Sequence, residues 1–179
     1  ENQYFNGEYK KAKKTLKNFK KDDKFFFWFR IKKEAQIIAK QKNKKESLKF
    51  IAAEFNKINQ PNNKIFFDLA NFYRNSKEYK MSIKYYTKII DDLNGEDEIK
   101  SDLLYRRGGS YERIGEYEKA DKDLLYSLEI NPNDAYVLNY LAYSWLERNY
   151  KIDEAIQMLE TAYALRSNDP YIIDSIGWA

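Results

Sequence analysis

Cysteine and histidine are both absent from this sequence. Without cysteine there is no disulfide and no thiolate metal site, and nothing marks the redox compartment. Without histidine the commonest metal ligand and general base are gone, so any chemistry would fall to carboxylates, lysine, tyrosine and hydroxyls. An enzyme is therefore disfavoured and no cofactor is expected. Glycine occurs 6 times and proline 3 times, too seldom for a hairpin-rich fold, while Leu, Ile, Ala, Lys and Glu recur in helix-like patterns. No run of about 18 uncharged apolar residues appears, and no apolar segment of signal type opens the chain. These absences predict a soluble, all-α protein.

What is present is enough to build a core: the hydrophobic fraction is 43%, too high for a disordered chain. The apolar and small residues also repeat. A small residue returns at Ala35, Ala70, Gly108, Ala142 and Gly177, with steps of 35, 38, 34 and 35. A second small residue returns at Ala12, Ser47, Ser82, Ala120 and Ala155, with steps of 35, 35, 38 and 35. Two markers with one period describe a tandem repeat, with small residues of the kind that let packed helices approach closely.

The unit is clearest from 101 to 134. Leu104, Gly108 and Tyr111 share one helical face, Gly115, Glu116 and Tyr117 form a turn, Ala120, Leu124 and Ser127 line a second helix, and Asn131, Pro132 and Asn133 close it. This pattern resembles the tetratricopeptide repeat, a unit of about 34 residues. The resemblance implies a right-handed superhelical solenoid of antiparallel helix pairs. Full units are expected at 28–61, 63–96, 101–134 and 135–169, with the second helix of a truncated unit in 1–24 and the first helix of another in 170–179. The unit from 28 is the weakest match, with Lys44 at the turn aromatic and Ser47 for alanine. Extra residues around Asp97 to Lys100 and near Asn149 are expected in loops. Tyr73, Tyr111 and Trp145, with Tyr86, Leu124 and Leu159 from the second helices, are the expected continuous core.

Three local features could carry function. The run Phe25, Phe26, Phe27, Trp28 and Phe29 reads best as packing at a repeat junction. The charge is uneven: residues 1–60 hold 17 Lys and Arg against 7 Asp and Glu, and residues 61–179 hold 15 against 21. Scattered lysines in a chain rich in Lys, Asn, Ile, Phe and Tyr read as solvated faces, so nucleic acid is disfavoured and no direct membrane contact is expected. The carboxylates Asp91 with Asp92, Glu96 to Glu98, and Asp121 with Asp123 read as solvated charge at a helix end, in a loop and on a helix exterior; no metal site is expected.

The resemblance further implies that the function lies on the concave face lined by the first helices. Carried over position by position, that face holds Lys32, Gln36, Phe67, Asn71, Arg74, Tyr105, Arg113, Asn139, Tyr143 and Trp178. Such aromatics, amides and opposite charges suit an extended peptide or a partner helix. One variant of the family clamps a terminal carboxylate; Lys32 and Gln36 approach its pattern, and Asp68 and Asp102 break it. Residues 138–179 are similar to bacterial members, some envelope-associated, and no compartment is marked. The expectation is a protein-interaction scaffold without a small-molecule substrate; the alternative is a structural spacer or a module that stacks end to end.

Overall fold

The computed structural model describes residues 2–17, 24–95 and 97–179, and every regular element among them is an α-helix. In chain order these are α1 (Asn2–Phe5), α2 (Tyr9–Leu16), α3 (Lys24–Gln41), α4 (Lys44–Phe55), α5 (Asn63–Asn75), α6 (Tyr79–Asp92), α7 (Glu98–Glu112), α8 (Tyr117–Ile130), α9 (Ala135–Glu147), α10 (Ile152–Leu165) and α11 (Pro170–Trp178). The all-α expectation holds. The chain forms two compact bodies, residues 1–65 and 66–179, divided within α5. No helix among the described residues is long and apolar enough to cross a membrane.

The helices are joined by a turn used four times. After α5, the Glu78 amide donates to the Tyr73 carbonyl and the Lys77 amide to that of Arg74, the paired bonds of a Schellman closure that satisfies otherwise orphaned carbonyls. The same two bonds recur at Gly7 and Glu8, at Gly115 and Glu116, and at Asn149 and Tyr150. The closing residue is left-handed each time, with φ of +74° at Gly7, +59° at Lys77, +77° at Gly115 and +52° at Asn149. Glycine takes that conformation without strain, whereas lysine takes it at a cost of about 1–2 kcal/mol. Between α3 and α4 a side chain serves instead: Asn43 Oδ1 accepts the Glu46 amide at 2.9 Å, an ordinary N-cap.

In the first body, Ala12 and Leu16 of α2 bury against Ile37 of α3, with Tyr4, Tyr9 and Phe29 packed around them. Ser47 of α4 is buried, and its hydroxyl donates to the Ala35 carbonyl at 2.6 Å. Serine here therefore keeps the small size of alanine and adds a bond across the helix crossing. In the aromatic run, Trp28 is 3% exposed and meets Phe55 edge-on at 6.2 Å, whereas Phe26 is 43% exposed. The side chain of Phe25 lies outside the described residues. Residues 18–23, part of the expected second helix at 1–24, lie outside them too.

In the second body the contacts run in opposite order along α7 and α8. Ser101 bonds Ser127 at the start of α7 and the end of α8, Arg107 bonds Asp123 midway, and Gly108 lies against Ala120 and Leu124. The two helices are therefore antiparallel. A Cβ on Gly108 would stand 3.0 Å from Leu124 Cγ and 3.2 Å from the Ala120 carbonyl oxygen, closer than helices of ordinary residues can pack. Gly108→Ala should therefore lower stability by about 1–2 kcal/mol in urea denaturation, overcrowding exceeding the gain in helix propensity. Gly109→Ala, whose Cβ would find only ordinary contact with Tyr140, should be neutral or stabilising. Equal effects at the two glycines would refute this account.

The expected core is largely in place. Tyr73, Tyr86, Leu124, Trp145 and Leu159 are buried, and Leu124, Leu141, Trp145, Ala155 and Leu159 form one cluster joining α8, α9 and α10. Four differences from the sequence reading follow from packing. Tyr111 is only half-buried, its ring lying under Arg107 and Lys119. Gly177 is exposed with nothing near its Cβ position. The extra residues before Ser101 do not form a loop: Asp97 caps a helix that already includes Glu98, Ile99 and Lys100. Asp123 is not solvated but 5% exposed: both its oxygens accept from Arg107 of α7, which also donates to Thr87 of α6. Asp121 is likewise paired, with Arg148 at 2.8 Å.

Candidate functional site

The first helices of the second body, α5, α7 and α9, carry most of the residues expected to meet a partner, and they divide into engaged and available groups. Asn71 belongs to the first group: its Oδ1 accepts from the Tyr86 hydroxyl at 2.7 Å and from Arg106 at 3.2 Å. Arg106 also pairs with Asp102 at 2.8 Å and lies over the Phe67 ring at 5.3 Å. Phe67 in turn meets Tyr86 edge-on at 6.5 Å. Asn71 and Phe67 are thus tied into an internal network; burial pushes the Tyr86 hydroxyl up to about 12, so it remains a neutral donor there.

Tyr105 meets Tyr140 edge-on at 5.7 Å, and the Tyr140 hydroxyl donates to Glu112 at 3.0 Å. Burial, reinforced by the Glu112 carboxylate, raises Tyr140 well above the ordinary phenol range. Tyr140 reaches across α7 because Gly109 has no side chain, the Tyr140 oxygen standing 3.4 Å from where its Cβ would be. The result is a recess of about 400 Å³ lined by Arg74, Asn75, Lys77, Tyr79, Gly109, Arg113 and Tyr140. It joins the last turn of α5, the turn after it, α7 and α9.

The cations of this recess are underused. Arg74 and Lys77 have no carboxylate partner among the described residues, and Arg113 has only the adjacent Glu112 at 3.4 Å. Sequence reasoning singled out Arg74 and Arg113 but missed Lys77, Tyr79 and Tyr140, which come from a turn, a second helix and a half-buried position. Asn139 is half-buried nearby in sequence, and its buried Oδ1 has no hydrogen-bond partner among the described residues. Farther on, Tyr143 meets Trp178 at 5.1 Å between ring centroids, and Trp178 is 54% exposed. Lys32 and Gln36 lie half-buried on α3 in the other body. No group of His, Cys, Asp and Glu among the described residues could hold a metal ion.

A family model described as "Tetratricopeptide repeat" matches residues 64–91 and 101–134. A TPR repeat-containing protein of Pseudomonas aeruginosa is 34% identical over 76 residues, which is 42% of this chain and 13% of that protein. The chain thus spans about an eighth of that relative's length. Among solved structures, MamA is similar with a TM-score of 0.65 and 17% identity, over 93% of this chain and 91% of MamA. The first TPR of Spaghetti, bound to an HSP90 peptide, is similar with a TM-score of 0.57 and 19% identity, over 65% of this chain and 88% of its own. At these identities the likeness to solved structures is one of fold.

Proposed function

From the premise that the chain is a tetratricopeptide-repeat protein, we propose that it is a non-catalytic scaffold whose second body holds an extended or helical segment of another protein. The receiving face carries Arg74, Tyr105, Arg113, Asn139, Tyr143 and Trp178, with Phe67 and Asn71 as its internal support. One observation carries this reading: three successive first helices line one recess in which Arg74 and Lys77 have no carboxylate partner among the described residues. Aromatic rings bury area there at low entropic cost, while amide and guanidinium groups bond a peptide backbone or its carboxylates. The peptide held by the Spaghetti structure supports a fold of this kind accepting such a ligand. Lys32 and Gln36 form a separate candidate patch on the first body.

The test is a variant with Arg74, Arg113 and Asn139 all changed to alanine. Among the described residues, Asn71 is hydrogen-bonded by Tyr86 and Arg106 and by none of these three, and Asn139 Oδ1 has no hydrogen bond to lose, so the variant should melt close to wild type. Affinity capture from lysate followed by mass spectrometry should then retain a protein on wild type that the variant loses. A partner held equally by both would move the site elsewhere.

A further inference from the structure

The recess described above also specifies the charge of what it receives. Three cationic residues, Arg74, Lys77 and Arg113, line it together with Asn75, Tyr79 and Tyr140. The carboxylate paired with one of these cations is Glu112. That carboxylate is already taken: it accepts the Tyr140 hydroxyl at 3.0 Å and faces Arg113 at 3.4 Å. The floor is open because Gly109 contributes no side chain where the Tyr140 ring crosses α7. The body that holds the recess is the more acidic part of the sequence, with 21 Asp and Glu against 15 Lys and Arg in residues 61–179. A locally positive hollow in a negatively charged body is therefore a feature of placement and does not follow from composition.

We propose that this recess is a seat for an acidic peptide segment of a partner protein, in which an Asp or Glu carboxylate is bound between Arg74 and Arg113 with Lys77 at the rim. The guanidinium groups offer paired N–H donors matched to a carboxylate. Lys77, held on the left-handed turn residue, adds a mobile point charge. The seat is built from the last turn of one first helix, the turn after it and the C-terminal end of the next first helix, so any repeat pair with a small residue at the Gly109 position and cations at those of Arg74 and Arg113 could form it. The proposal rests on the scaffold reading and adds the chemistry of the ligand to it.

The probe is a fluorescein-labelled octapeptide carrying four glutamates, capped at both ends, alongside its glutamine counterpart. Anisotropy titrations with the 179-residue chain should show the glutamate peptide binding at least about tenfold tighter than the glutamine peptide. The double variant Arg74→Glu and Arg113→Glu should lose at least about tenfold in affinity, while Lys45→Glu with Lys122→Glu, the same charge change on exposed sites elsewhere, should stay within about twofold. Gly109→Leu, which fills the floor without altering charge, should lose as much as the reversal, and melting curves will show that each variant is folded. Equal losses in the two charge-reversal variants, or no preference for glutamate, would overturn the proposal. Tighter binding of an oligothymidylate through the same arginines would overturn it as well. A protein partner released by Asn139→Ala but held at full strength by the Arg74→Glu and Arg113→Glu variant would sink the acidic seat and leave the scaffold standing.

Discussion

Asp123→Ala should cost about 3–5 kcal/mol in stability, read as a fall in the urea midpoint with an unchanged slope. Both Asp123 oxygens accept from Arg107, at 2.7 Å each, and Arg107 donates a third bond to Thr87 at 3.1 Å. The Arg107 and Asp123 side chains are only 15% and 7% exposed, so the attraction is little screened, but so is the penalty for stranding either charge. Removing the carboxylate leaves a guanidinium in a closed space, and that uncompensated charge is the source of the loss. The pair itself contributes far less than its deletion suggests, since bringing two ions out of water offsets most of their attraction. Arg107→Met combined with Asp123→Leu should therefore recover most of the stability that Asp123→Ala loses. A double variant no more stable than Asp123→Ala would show instead that the pair is a net stabiliser.

Trp145→Ala should be comparably damaging, at about 3–5 kcal/mol. Trp145 is 2% exposed and sits in the cluster with Leu124, Leu141, Ala155 and Leu159, so its removal leaves a cavity walled by three helices. Tyr150 meets its ring edge-on at 5.6 Å and Lys151 lies over it at 4.8 Å, so the turn into α10 loosens as well. Because stacked repeats contact mainly their neighbours, hydrogen exchange should quicken first in α9 and α10 and least in α6. Trp145→Phe should cost much less than its lost volume implies, because the buried indole N–H has no acceptor among the described residues and phenylalanine removes that donor. Uniform acceleration throughout residues 66–179 would contradict the local response.

The features legible in the sequence were those that one helix's period decides. Ala35, Ala70, Ala142, Ala12, Ser47, Ser82, Ala120 and Ala155 are all buried, because a small residue returning at a fixed step marks where two helices cross. Gly177 broke the pattern, since no neighbouring atom stands within 4 Å of its Cβ position. Charge was less legible. Periodicity places Asp123 on an exterior face, but that face becomes interior when Arg107 reaches it from one helix, held in turn by Thr87 of another. The recess is the same case in reverse: Lys77, Tyr79 and Tyr140 belong to three elements, and nothing in their spacing brings them together. The repeat pattern makes Asn71 a partner-facing amide, yet its acceptor is already occupied by Tyr86 and Arg106. A sequence position names the side of a helix and leaves open what else arrives there.

The helical turn added ahead of Ser101 shows how such a chain changes length. The step from Ala70 to Gly108 exceeds that from Gly108 to Ala142 by four residues, and four residues in a helix advance it by about 400°, only about 40° past a full revolution. The chain therefore enters α7 from nearly its former side, and the downstream packing needs no revision. A single added residue would swing that entry by about 100°, and the one extra residue of the next unit falls in the turn at Asn149 to Lys151, outside any helix. Length variation in this protein is in effect quantised: whole turns can be inherited as helix, and anything smaller must be inherited as loop.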